Sequence, residues 1–413
     1  MSQKQTPNYT FALTVVIIVC FLIGFITTMN NSMIEFCKKT FELSDQQGQY
    51  VNSAFYGAYA LSIPLAMLMN KIGYKMTLVG GLAVVGLGFL LNYVGISAFA
   101  NDKDLIFPVF LACMSCVAIG VVLLQLVANP YVMVLGSPDK GAFRMTLSQA
   151  LNSVATTIAP LFVSILIMGN ANKSAGAGAI TGPFLGLCIA TVILCVILSF
   201  LKLPNIQEGE QAAEASGEAK VYKSSVFKYP HVYFGALAIF AYMGLEIGVP
   251  SMLPAYFKAD STLTGNATTY LPFYWGGMMV GRFAGAAILS KFKPRTLLLA
   301  CLIGGIVCVG SSFVLSGFGA VYAMLAAGLF HSVMWPLIFN LGLQELGPHT
   351  KSASGIINMG VIGAAILMPV MGGIVDNPAL GVGCAIGMMF VYYAYVVWFT
   401  LFGSRWGLNK VAS

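Results

Sequence analysis

Charge is what this chain has least of. Only 8% of its 413 residues are Asp, Glu, Lys or Arg, where a soluble domain carries about 25%. Such an ion-poor composition excludes an ordinary soluble fold. Histidine is scarce too: His231, His331 and His349 are the only three, scattered along the chain. No nucleophile–base constellation and no metal-ligand spacing accompanies them, so neither an enzyme, a cofactor nor a bound metal is expected. The net charge of +7 is not gathered into a patch, which argues against nucleic acid as a partner. The nine cysteines lie mostly inside apolar runs, where they serve as small packing residues rather than a disulfide framework. Cys113 and Cys116 have C-x-x-C spacing, but packing suits their apolar setting better than redox work.

Long hydrophobic runs fill the space that charge leaves. Hydrophobic residues make up 58% of the chain and glycine contributes 45. A membrane span needs about 20 mostly apolar residues. Twelve such stretches are predicted, at 9–34, 47–69, 76–97, 104–133, 143–167, 181–203, 231–257, 268–290, 295–315, 318–343, 350–373 and 379–402. The first is too long for a signal-peptide core and lacks a small-residue cleavage site, so it reads as a span. Between the sixth and seventh lies the one extended polar segment, Pro204–Tyr229, with four glutamates and three lysines. It divides the chain into a six-helix bundle (1–203), a linker (204–230) and a second bundle (231–413).

Positive residues then set the orientation. With the N-terminus inside, inner segments hold fifteen Lys and Arg, from Lys4, Lys71 and Lys75 to Arg405 and Lys410, and outer ones only Lys38, Lys39, Lys103, Lys173 and Lys258. Both termini are therefore expected in the cytoplasm. The halves echo one another: the basic turn Lys71–Lys75 is answered by Lys291–Arg295, and Pro160 by Pro369. Asn129-Pro130 is likewise answered by Trp335-Pro336. A repeat of like topology is the architecture of carriers that rock about a shared midplane site.

Polar groups at mid-membrane depth indicate where that site lies. Gln125, Asn129 and Pro130 interrupt one apolar run; an unpaired amide is costly in hydrocarbon, so this helix should have a wet inner face. Gln149 and Asn152, three apart, share a face of the next span. Glu246 is the one acid placed at mid-depth, and an intramembrane carboxyl defaults to function. It could take up a proton, ligate Na⁺ with nearby carbonyls, or accept bonds from hydroxyls. Asn31 in span one, and Asn340 and Asn358 in spans ten and eleven, are further candidates. Tyr274 and Trp275 offer rings to an apolar ligand face. Phe55, Tyr56, Tyr59 and Tyr242 lie at similar depth but read as packing, as does His331. Arg144 and Arg282, at the inner ends of spans five and eight, read as braces of the closed cytoplasmic side or as positive-inside anchors. Asn266 with Thr268 makes a weak glycosylation pattern.

Several segments resemble the major facilitator superfamily, and within it the fucose permease and glucose/galactose transporter branch. They are Asn52–Gly57, Gln125–Tyr131, Phe143-Arg144, Leu147–Asn152, Gly281–Phe283, and the run from Phe330 through Pro336, Pro348 and Pro369 to Asp376. The resemblance implies an all-α fold of twelve transmembrane helices in two pseudo-symmetric bundles, and secondary active uptake of a monosaccharide. It also implies that Gln125 and Gln149 face the sugar. Proton-coupled fucose permeases carry acids where this chain has Asn31 and Gln125, and an amide cannot carry a proton. Coupling by H⁺ or Na⁺ is therefore assigned to Glu246, and glucose, galactose or an N-acetylhexosamine are preferred to fucose. An uncoupled facilitator or a sensor on the same scaffold is the rival reading. A monomer in lipid, in a bacterial inner membrane, is expected.

Overall fold

The computed structural model describes residues 9–99, 102–134, 141–169, 176–201, 222–265 and 267–408. Residues 204–221 of the expected linker, Lys140, Lys173 and Asn266 lie outside them. All regular structure in the described residues is helical. In the first half the helices are α1 (Tyr9–Phe41), α2 (Asp45–Gly48), α3 (Tyr50–Gly57), α4 (Ser62–Ala98), α5 (Lys103–Val134), α6 (Gly141–Phe162) and α7 (Thr181–Phe200). In the second they are α8 (Pro230–Glu246), α9 (Gly248–Ala259), α10 (Leu271–Leu289), α11 (Pro294–Ser311), α12 (Gly317–His331) and α13 (Met334–Gly342). The last three are α14 (Thr350–Met359), α15 (Gly363–Asp376) and α16 (Gly381–Leu401).

Ten stretches of the described residues are long and apolar enough to cross a bilayer. One of them, Asp45–Ala98, runs 54 residues and must be two crossings, because Gly73 breaks α4 with φ 80° and ψ 169°. Only glycine adopts that backbone without strain, and it turns the chain within the basic loop Lys71–Lys75. The helix α10, with Arg282 as its one charge, is the twelfth crossing. The described residues thus make twelve crossings, and the protein is a multi-pass membrane protein. Its outer skin is apolar: Ile165, Phe200 and Val391 are each more than 60% exposed, which suits hydrocarbon and not water.

Helix α1 runs seven residues past the predicted end at Ile34, through a polar stretch. Lys38 explains this, since it is held by Glu35 at 3.2 Å and Asp45 at 2.6 Å. Four predicted spans are broken near their middles: at a 3₁₀ turn, Ala58–Leu61, between α3 and α4, at Ile247 between α8 and α9, at Ser332-Val333 between α12 and α13, and at a second 3₁₀ turn, Gly360–Ile362, between α14 and α15. Proline accounts for the breaks at Ile247 and at Ser332-Val333. Pro250 and Pro336 have no N–H for the carbonyls of Glu246 and Ser332, four residues back.

Both halves meet on either side of the molecule's middle. At the end carrying α2, a Cβ on Gly372 of α15 would lie 3.2 Å from the Gln46 Cα, so the two backbones touch. At the opposite end, a Cβ on Gly355 of α14 would lie 2.7 Å from the Ala66 Cβ of α4. Between these seams α6 packs against α10.

Candidate functional site

A cavity lies between the seams, lined by side chains of both halves. One wall comes from the first half. There α1 contributes Thr27, Thr28 and Asn31, α5 contributes Gln125 and Asn129, and α6 contributes Gln149, Asn152 and Thr156. Tyr56 of α3 and Tyr59 just beyond it join them. The other half supplies Glu246, Ile247, Trp275, Arg282, Trp335 and Val361. A second, narrower space shares Asn31, Ile247 and Trp275 with the first and continues past Gln49 and Pro254 to Glu35 and Lys38.

The first-half wall is polar but uncharged, and several of its groups have no protein partner. Among the described residues, Thr27 Oγ1, Gln125 Oε1 and Asn129 Nδ2 are buried and find none. Buried polar atoms are normally paired, so unpaired ones aimed at a cavity mark where a ligand bonds. The Oε1 is an acceptor and the Nδ2 a donor, which together match a hydroxyl-rich neutral molecule. Other wall groups are already committed. Asn152 Nδ2 donates to the Cys20 carbonyl, tying α6 to α1. Asn31 Oδ1 accepts from the Tyr56 hydroxyl at 3.2 Å.

The second-half wall holds the cavity's two charges. Glu246 Oε1 lies 3.5 Å from Arg282 Nη2, with side chains 12% and 8% exposed. Arg282 also donates from Nε to the Ser332 carbonyl at 3.1 Å, the one that Pro336 leaves free. Its Nη1 reaches across the halves to Ser153 Oγ at 2.7 Å and the Gln149 carbonyl at 3.4 Å. Tyr274 answers the other proline break: its hydroxyl donates to the Glu246 carbonyl at 2.9 Å. With its single proton so placed, it accepts from His331 Nδ1 at 2.8 Å. The Nε2 of His331 then accepts from the Tyr393 hydroxyl, and Tyr242 donates to the His331 carbonyl at 2.9 Å. Both breaks beside the site are therefore stitched by side chains.

Of the residues singled out from sequence, Asn31, Gln125, Asn129, Gln149, Asn152, Glu246 and Trp275 come together on this cavity. Three do not. Tyr274 is fully buried against His331, one residue and roughly 100° round the helix from Trp275. Asn340 lies five residues beyond Trp335, on another face of α13, and does not line the cavity. Asn358 is buried within the second half, neighbouring Val361 in sequence, its own side chain off the cavity wall. Arg282 is a correction of a different kind. It is not a brace at the inner end of its span but part of the cavity wall, because its guanidinium is drawn up by Ser332, Ser153 and Glu246. Arg144 does sit near its helix start, where Nε donates to the Val132 carbonyl of α5 at 3.0 Å. Thr27 and Thr28 belong to the same polar patch of span one as Asn31, whereas hydropathy and spacing do not single out Tyr56, Tyr59 and Trp335. Tyr56 and Tyr59 sit on a helix interrupted by a 3₁₀ turn at Ala58–Leu61, which shifts the face they present.

A family model described as Major Facilitator Superfamily matches residues 16–369. The chain belongs to that superfamily. It is 36% identical over 412 residues to a glucose/galactose transporter of Brucella abortus, covering 98% of this chain and 96% of that one. It is 28% identical over 394 residues to the L-fucose-proton symporter of Escherichia coli, covering 90% and 88%. A crystal structure of the superfamily transporter FucP in the outward conformation superposes with a TM-score of 0.77 at 25% identity, covering 96% of this chain and 99% of that one. The fold and the twelve-span count read from the sequence are those of this superfamily.

Proposed function

We propose that this protein is a cation-coupled importer of a neutral hexose, such as glucose, galactose or an N-acetylhexosamine, working by alternating access. The observation that carries the reading is the pairing of two unlike walls around one cavity. Unpartnered amides and hydroxyls with no charge face the only acid and its arginine. A neutral polyol can satisfy Gln125 Oε1 and Asn129 Nδ2 together while Trp275 and Trp335 cover its C–H faces. The printed activities of the 36% and 28% identical relatives support a sugar as the solute. With amides at Asn31 and Gln125, L-fucose is the less favoured substrate.

Glu246 is the coupling group. Arg282 already supplies a cation 3.5 Å from it, so a second metal cation on the same carboxylate would be opposed by like charge, whereas a proton would not. We therefore favour H⁺ over Na⁺. The carrier acts as a monomer in the bacterial plasma membrane with both termini in the cytoplasm, and residues 204–230 link bundles 1–203 and 231–413. The test is a sugar panel on proteoliposomes under an imposed pH or Na⁺ gradient, repeated with Glu246→Gln. Uphill accumulation driven by the pH gradient, lost in Glu246→Gln while sugar exchange persists, is expected. No sugar uptake under any gradient would refute the reading; unchanged accumulation in Glu246→Gln would remove the acid from the mechanism.

A further inference from the structure

Arg282 is bonded in three directions, and those directions belong to three different parts of the machine. Its Nε is fixed on the proline-freed carbonyl of Ser332, within its own half. Its Nη1 holds Ser153 Oγ and the Gln149 carbonyl of α6, in the opposite half. Its Nη2 faces Glu246 across a longer gap of 3.5 Å. A guanidinium is one rigid plane, so with Nε anchored the head can only pivot. Turning it toward Glu246 draws Nη1 away from Ser153; turning it back tightens the grip on α6.

We propose that Arg282 is a positioning residue that reads the charge on Glu246 and passes it to α6 through Ser153. The inference rests on the coupling role given to Glu246 above. An ionised Glu246 pulls the head toward itself and loosens the bond between the halves. A protonated Glu246 releases the head, and the α6–α10 seam tightens. Among the described residues no other ionised side chain lines the cavity: the groups beside Glu246 are the phenols of Tyr56, Tyr59, Tyr242 and Tyr274, with neutral His331 behind Tyr274. Ser153 itself is fully buried and does not line the cavity, so it can be changed without touching the sugar site.

Ser153→Ala is therefore the decisive variant, assayed as full-length protein in proteoliposomes. Sugar exchange should stay near the wild-type rate, while proton-driven accumulation falls roughly fivefold, the weight of one hydrogen bond. Ser153→Thr, which keeps the hydroxyl, should restore accumulation. Opening of the cavity is read separately, by labelling of Cys20 on its wall with a membrane-impermeant methanethiosulfonate and peptide mass spectrometry. Ser153→Ala should raise that labelling more in a Glu246→Gln background than alone, because the freed head then has no carboxylate to turn to. Equal effects in the two backgrounds, or wild-type accumulation in Ser153→Ala, would overturn the proposal even if sugar transport itself stands.

Discussion

The hydroxyl of Ser53 donates to the carbonyl of Ala365 at 2.9 Å, joining α3 of the first half to α15 of the second. The carbonyl is free because Pro369, four residues on, brings no N–H. The same end of the molecule is tied by the Gln46 amide on Asp376 at 3.1 Å and by Lys258 on Asp45 at 3.4 Å. Ser53→Ala should lose about 1 kcal/mol of closure here, shifting the population toward the open form roughly fivefold. Labelling of Cys20 by impermeant reagent should rise by that factor. No change would mean that the bond does not hold this seam.

Gln125 carries an unpaired acceptor into the cavity. Gln125→Met keeps the length and removes the amide, leaving a ligand hydroxyl unmatched at a cost of about 1–3 kcal/mol. The KM for the transported hexose should rise between about fivefold and over a hundredfold. Concentration-dependent exchange measures it, and a KM within twofold of wild type would take this amide out of the site.

Tyr274→Phe tests the stitching of the α8–α9 break. It leaves the Glu246 carbonyl and His331 Nδ1 without their partner, at a cost of about 1–3 kcal/mol per buried group. The melting temperature in detergent should drop by several degrees. An unchanged value would show that the break needs no support from the phenol.

Asp260, in the loop after α9, accepts from the Thr262 hydroxyl and amide and from the Gly317 amide at 2.9 Å. The Thr262 bonds above all hold its carboxyl below the usual range. A depressed acid stabilises the fold above its unfolded pKa, near 4, and that contribution fades as pH falls through the folded value. The melting temperatures of wild type and Asp260→Asn should thus differ most at neutral pH and converge in acid. A constant gap across pH 3–7 would contradict this role.

The sequence revealed depth better than direction. Spans, the acid at Glu246 and the amides of α5 and α6 follow from apolar run length and from the cost of polar groups in hydrocarbon. What hydropathy does not give is the angle about each helix. Tyr274 and Trp275 are adjacent, yet one faces His331 and the other the cavity. Arg282 was misplaced for a related reason: a lone arginine two turns from a helix end reads as an interface anchor. Its true depth depends on Ser153 and Glu246, which belong to other helices. Asn340 and Asn358 were placed by depth alone and fell off the cavity wall. Proline offered a signal that went unused, since each of Pro250, Pro336 and Pro369 names a carbonyl needing an outside donor.

The halves are pressed together both above and below the cavity, at Gly372 and at Gly355. Neither of these seams is parted in this form. A cavity set between two such seams has the build of an airlock rather than a pore.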